Sequence, residues 1–150
     1  MVNKAQINKI LSVIAEKLQD INFAFIGSVN LYIQRLKVEP RDIDILTTPE
    51  GIKKIDKILD KYRTKEIYFD ESDGRNSFRG FYEINGIEIE VLGNMNNLYR
   101  EIDILDKKIH AKLNNIKLPC IALDNELEAY KKMGRIDKVE IIEKFLRAQG

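Results

Sequence analysis

The sequence predicts an α+β domain in which a small mixed, mostly antiparallel sheet carries helices packed on one face. Three observations predict it. Apolar residues recur at helical spacing at both ends of the chain, in Ile7, Ile10, Leu11, Ile14 and Leu18 and again in Ile136, Val139, Ile142, Phe145 and Leu146. Between them lie short apolar runs of strand length, separated by turn residues. Ile84-Asn85-Gly86-Ile87 is the strongest hairpin signal, because Asn-Gly adopts the positive φ angles that a two-residue type I′ turn requires. At 150 residues the chain can bury roughly 70% of its unfolded surface, which predicts a single domain over residues 1–150.

Residues 4 to 20 form the opening amphipathic helix, with Lys9, Glu16 and Lys17 on its polar side. Phe23 to Ile26 is a short apolar run, broken by Gly27-Ser28 and followed by Leu31, Tyr32 and Leu36 at near-helical offsets, which reads as strand, tight turn and helix. Pro40 ends the next linker, and Asp42-Ile43-Asp44-Ile45-Leu46 alternates as a half-buried strand does. Thr48 is a helix N-cap with Pro49 in the first turn, and Ile52, Ile55, Ile58 and Leu59 carry that helix to about Tyr62. Thr64 to Phe69 reads as a strand, and residues 70–76 as an exposed polar loop. Strands from Ser77 to Ile84 and from Ile87 to Leu92 flank the Asn-Gly turn. A helical segment near Met95 to Leu105 precedes a second hairpin, which turns at Asn114-Asn115 between Lys108 to Leu113 and Ile116 to Ile121. Asp124 caps a helix to about Met133, Gly134 stops it, and a last helix closes the pattern.

Composition narrows the chemistry. Twenty-five Lys and Arg against twenty-four Asp and Glu give a formal charge of +1, unlike a chain built to coat nucleic acid or an anionic membrane. The single Cys120 excludes an internal disulfide framework and a multi-cysteine zinc site, and the lone His110 has no second histidine to share a metal with. Metal chemistry must therefore be carboxylate chemistry. No apolar stretch approaches a membrane span and the N-terminus is periodic and charged, so the expected setting is cytoplasmic, with no membrane partner.

Asp42 and Asp44 lie two apart on a predicted strand, so both carboxylates project from one face while Ile43 and Ile45 point into the core. Alone, such a pair is usually just the wet side of a sheet. The Asn-Gly hairpin makes a second case, because its register pairs Ile84 with Ile87, Glu83 with Glu88, Tyr82 with Ile89, and Phe81 with Glu90. Tyr82, Ile84, Ile87, Ile89 and Val91 then face the core, and Arg79, Phe81, Glu83, Glu88 and Glu90 face the other way. If this hairpin lies beside the aspartate strand, three acids converge, and oxygen-rich clusters suit Mg²⁺ or Mn²⁺. Gly27-Ser28 supplies a third piece. Glycine lets the chain turn off the strand, the following helix offers N–H groups and a positive dipole end to a phosphate, and Ser28 adds a hydroxyl. A lone Gly-Ser is an ordinary helix cap. Its weight comes from the order of strand, Gly-Ser, helix, thirteen residues, Asp-Ile-Asp and a later acidic strand.

In that order the chain resembles the nucleotidyltransferase superfamily of the DNA polymerase beta type, particularly its small prokaryotic members of the minimal nucleotidyltransferase and abortive-infection toxin kinds. The residues that carry the resemblance are Phe25-Ile26-Gly27-Ser28, Asp42-Ile43-Asp44 and Glu88-Ile89-Glu90-Val91. They are joined in the tail by Ile116-Lys117-Leu118-Pro119, Leu123 and the stretch from Glu128 to Lys138. It covers about residues 20 to 146. The third acid is glutamate where many relatives have aspartate, although relatives that modify aminoglycosides also use glutamate. Glu90 is the preferred third acid because Val91-Leu92 and Gly93 follow it directly, with Glu88 as the alternative.

The resemblance implies two Mg²⁺ (or Mn²⁺) ions with bound nucleotide, held by Asp42 and Asp44, with Glu90 completing the second site or taking a proton. A hydroxyl on a protein, RNA or small molecule attacks the α-phosphate of a nucleoside triphosphate such as ATP, and pyrophosphate leaves. Gly27 and Ser28 would hold the outer phosphates. Lys131, Arg135 and Lys138, at i, i+4 and i+7, would neutralise the leaving group, with Arg79 behind them. A basic stripe on a surface helix is otherwise only solvated. Tyr32, Phe81 and Tyr82 could stack on a base but read as core residues, Arg41 points away from the aspartates, His110 is a surface residue and Cys120 a buried small hydrophobe. The rival reading is a low-activity or inactive binding module of the same fold, an antitoxin partner of a small helical toxin. A modifier of antibiotics ranks lower, since the chain is short for an additional acceptor-holding helical domain.

Overall fold

The computed structural model describes residues 3–94 and 99–149. The chain opens with α1 (Lys4–Lys17), capped by Asn3, whose side-chain oxygen accepts the Gln6 N–H at 2.8 Å. Then follow β1 (Phe23–Ile26), α2 (Gly27–Ile33), β2 (Ile43–Thr47) and α3 (Pro49–Ile58). Thr48 caps α3 as expected, accepting the Gly51 N–H at 2.9 Å. The helix ends four residues early, and a 3₁₀ turn over Asp60–Tyr62 leads into β3 (Arg63–Asp70). The rest comprises β4 (Ser77–Ile84), β5 (Ile87–Asn94), β6 (Ile109–Leu113), β7 (Ile116–Cys120), α4 (Leu123–Met133) and α5 (Ile136–Gln149).

The described strands form one sheet in the order β3-β4-β5-β2-β1-β7-β6. Only β2–β5 and β1–β7 are parallel, so the sheet is mixed and mostly antiparallel, as the sequence predicts. Both hairpins take their expected registers, Ile84 opposite Ile87 and Leu113 opposite Ile116. Their turns place Asn85, Gly86, Asn114 and Asn115 at φ of 49°, 82°, 49° and 67°, the left-handed region that asparagine and glycine tolerate. On one face α1 and α3 pack through Ile10, Ile14, Ile52 and Ile55 onto Phe25, Ile45, Ile89 and Val91. On the other, a 3₁₀ segment over Ile102–Lys107 lays Ile104 and Leu105 across Ala24, Ile26, Leu46 and Ile121. α4 and α5 pack against α2 through Leu31, Tyr130 and Ile142.

Three local expectations change. Of the helix expected near Met95 to Leu105, residues 95–98 lie outside the described residues, and the downstream part is the 3₁₀ segment. Asp124 is not the cap of α4. Ala122 holds that position and Asp124 sits in the first turn, where a negative charge still complements the helix dipole. The polar stretch 70–76 is not wholly exposed either, because Asp70 is buried against Arg79 at 3.1 Å. No helix among the described residues is long and apolar enough to cross a membrane.

Candidate active site

β2 and β5 run side by side with Asp44 opposite Glu90. Since Ile43, Ile45, Ile89 and Val91 fill the core face, both carboxylates stand on the opposite face. One step along that face, Leu46 and Leu92 lie under the 102–107 segment, and Asp44 is half-buried at the margin of this cover. Burial is the main reason that its carboxyl is pushed up to about 7. The charges of Asp42, Glu90 and Glu126 add to the rise, and the Arg100 guanidinium opposes it. Asp42 precedes the first residue of β2 and is exposed. Glu88 is exposed too, opposite Glu83. Among the described residues no three His, Cys, Asp or Glu side chains form a ready-made metal cage. Asp42, Asp44 and Glu90 are neighbours, and Glu90 is held by an ion pair to Arg79.

Next to Asp44 comes the Gly27 turn. β1 pairs antiparallel with β2, setting Ile26 opposite Asp44, and Gly27 follows with φ of 73°. The backbone angle calls for glycine, and a Cβ on Gly27 would stand 2.9 Å from Asp44 Oδ2 and push that carboxylate aside. The Gly27 N–H is not free for a phosphate. It donates to Glu126 Oε2 at 2.9 Å, the same oxygen that accepts Asn30 Nδ2 at 2.7 Å, while Arg100 Nη2 lies 2.6 Å from Glu126 Oε1. Both charged groups are buried. The sequence reading missed this cluster, yet it left a signal. Leu123, Glu126, Leu127 and Tyr130 recur at i, i+3, i+4 and i+7, so an acid stands in the apolar stripe of a helix.

The cations divide between two sides of Asp44. On the β1 side, Lys138 Nζ donates to Ser28 Oγ at 3.1 Å. On the β5 side, Arg79 joins Asp70 to Glu90 and lies over the Phe81 ring, 5.1 Å from its centre. Hydrogen bonds from Ser72 chiefly, with Arg79, bring the Asp70 carboxyl down to about 2. Beyond Arg79 opens a cavity of about 510 Å³ whose lining includes Arg75, Arg79, Arg100 and Arg135, with Glu90 the one acid among the described residues that line it. Lys131, Arg135 and Lys138 do not share one helix face. Gly134 takes φ of 73° and ends α4, leaving Lys131 exposed in its last turn, Arg135 at the cavity beside Asp137, and Lys138 in the first turn of α5. Their spacing would align them only along an unbroken helix.

The remaining side chains behave largely as the composition suggests. Tyr82 is in the core and donates its hydroxyl to Asp56 at 2.7 Å. Tyr32 donates to Asn8 Oδ1 at 2.7 Å, His110 is exposed on β6 and Cys120 is buried. Phe81 is half-buried, stacked parallel to Tyr68.

No family model matches the chain, and no curated protein matches it. Among solved structures it is similar to TM1012 of Thermotoga maritima, provisionally named a nucleotidyltransferase. The identity is 27% over 98% of this chain and 96% of that one, with a TM-score of 0.82. The antibiotic-resistance factor ANT(2″)-Ia in solution shares the fold at 10% identity and a TM-score of 0.53, covering 99% of this chain and 94% of that one. Its complex with adenylyl-2″-tobramycin does so at 11% and 0.51, covering 97% and 99%. The chain therefore has the nucleotidyltransferase fold, and these neighbours agree with the superfamily resemblance carried by its motifs.

Proposed function

We propose that this protein is a metal-dependent nucleotidyltransferase that moves a nucleoside monophosphate from a nucleoside triphosphate to a hydroxyl acceptor on a protein, RNA or small molecule. The observation that carries the reading is the register of Asp44 against Glu90, with the Gly27 turn closed onto the Asp44 carboxylate. The donor set fits a hard cation. Asp42, Asp44 and Glu90 offer only carboxylate oxygens, and Asp44 is lifted by burial first and then by the charges of Asp42 and Glu90, as in a site short of positive charge. Asp42, Asp44 and Glu90 would hold Mg²⁺ or Mn²⁺, two ions when nucleotide is bound, with Glu88 the alternative ligand. A divalent cation there supplies positive charge against the phosphates and lowers the pKa of an acceptor hydroxyl.

The chain's own groups do the rest. Ser28 Oγ and Lys138 Nζ bind the outer phosphates on the β1 side, with Gly27 keeping the backbone close and Lys131 at the margin. Glu90 takes the acceptor proton once Arg79 releases it. Arg79, Arg100 and Arg135 stand on the acceptor side, across Asp44 from Ser28. The acceptor oxygen bonds to the α-phosphorus as the bond to pyrophosphate breaks. Incubation with labelled ATP, CTP, GTP or UTP and Mg²⁺ or Mn²⁺ tests this against candidate RNA, protein and aminoglycoside acceptors. Transfer lost in Asp42→Ala and Asp44→Ala supports it. Variants indistinguishable from wild type, with no metal-dependent nucleotide binding, would overturn it.

The Arg79–Glu90 ion pair favours a second reading, in which the third acid stays neutralised and the protein serves as a binding module, such as an antitoxin for a helical toxin. Metal-dependent nucleotide binding without transfer to any acceptor would select it.

A further inference from the structure

The far ends of α2 and α5 carry a feature that the transferase reading does not use. α5 presents Ile141, Lys144, Phe145 and Ala148 at i, i+3, i+4 and i+7, and this stripe forms one wall of an apolar slot of about 410 Å³. The segment that follows α2 forms the other wall, with Leu36 at its base and Arg35 and Lys37 along its rim. Lys144 stands on the opposite rim. Among the described residues no acid lines the slot, and none of these three cations makes a salt bridge or side-chain hydrogen bond.

Arg35 is the informative residue. α2 ends in a Schellman turn, Arg35 N–H to Tyr32 C=O and Leu36 N–H to Leu31 C=O, both at 3.0 Å, with Arg35 in the left-handed position at φ of 75°. Glycine is the residue that suits this position, and an arginine there is strained. Among the described residues its side chain has no hydrogen-bond or ion-pair partner to offset the strain. What it does provide is a cation at the slot.

We propose that this slot docks an acidic amphipathic segment of a partner protein, its apolar side chains on Phe145 and Leu36 and its Asp or Glu residues on Arg35, Lys37 and Lys144. Cations on both rims of one apolar floor match acids on either side of an apolar row. A single-headed anionic amphiphile could meet only one rim. Because α2 and α5 also meet at Ser28 and Lys138, an occupant that bridges their far ends restrains that contact.

A display library of random peptides about a dozen residues long, some three helical turns, is panned on the intact protein. Enriched peptides are then measured by fluorescence anisotropy against Arg35→Gly, Lys144→Glu and wild type. The expected result is enrichment of Leu, Ile or Phe interleaved with Asp or Glu, with affinity falling about tenfold in each variant. Arg35→Gly is expected to lose affinity while its Tm rises, which separates docking from misfolding. No enrichment over bare resin, or peptides blind to both substitutions, overturns the proposal. So does laurate binding with the same dependence, or a concentration-dependent dimer that Lys144→Glu abolishes, since these name a lipid or a second copy as the occupant.

Discussion

Asp44 folds into a place that resists its charge. Its carboxyl has an ordinary value in the unfolded chain and one pushed up to about 7 in the native state, by burial first and then by Asp42 and Glu90. Between those values the native state holds the proton more tightly, so the stability of the protein falls as pH rises through that window. Asp44→Asn is therefore expected to raise Tm near pH 8, by an amount corresponding to on the order of 1–3 kcal/mol, and to change it little near pH 4. Equal shifts at both pH values would refute this. Gly27 makes a second prediction at the same scale. Gly27→Ala forces a left-handed alanine and sets its Cβ 2.9 Å from Asp44 Oδ2. Urea unfolding should show a loss of roughly 1–2 kcal/mol, and nucleotide transfer should fall with it as the carboxylate is displaced.

At the scale of elements, the site depends on a helix distant in sequence. Glu126 ties α4 to the β1–α2 turn through Gly27 and Asn30, and Arg100 neutralises it in a buried pair. Buried pairs contribute modestly as a unit, but removing one partner strands the other charge. Glu126→Ala should cost about 3–5 kcal/mol in chemical denaturation. The double variant Arg100→Met with Glu126→Leu should recover the part of that loss due to the stranded Arg100 charge, the Gly27 N–H and Asn30 donors still lacking their acceptor, and a double variant no more stable than the single one would exclude a stranded charge as the cause. The hinge between α4 and α5 acts at this scale too. Gly134 turns the chain so that Lys138 reaches Ser28 and Arg135 reaches the cavity beside Arg79, placing cations on both sides of the acids.

The whole molecule is organised around three central strands. β1 is buried throughout, β2 nearly so, and β5 joins them from the other half of the sheet, whereas β3 and β6 at the two edges are largely exposed. Native-state hydrogen exchange should accordingly find the slowest amides in β1 and β2 and the fastest strand amides in β3 and β6, with one cooperative unfolding transition for the chain. Exchange in β1 as fast as in β6 would contradict this. Asp44 and Glu90 thus stand on the central strands of the sheet, while the cationic groups around them come from other elements.

Much of this was legible in the sequence. The Asn-Gly turn specified the register of β4 and β5 residue by residue, because a two-residue hairpin leaves no freedom in pairing and the side-chain period of two assigns each face. Thr48-Pro49 marked the start of α3, and Gly27, Asp42, Asp44 and Glu90 stood out because turn chemistry and strand alternation are local properties. The sequence by itself determined most of the elements, the acids and the polarity of the strand faces, but not the 3₁₀ segment over Ile102–Lys107. Tertiary structure alone decided that β5 would lie beside β2, bringing Glu90 to Asp44, that Glu126 would reach Gly27 across 99 positions, and that Arg79 would turn to Glu90. Those contacts depend on how separate elements pack. Packing minimises exposed apolar surface over the whole chain, and no short stretch of residues encodes which distant partner its polar groups will meet.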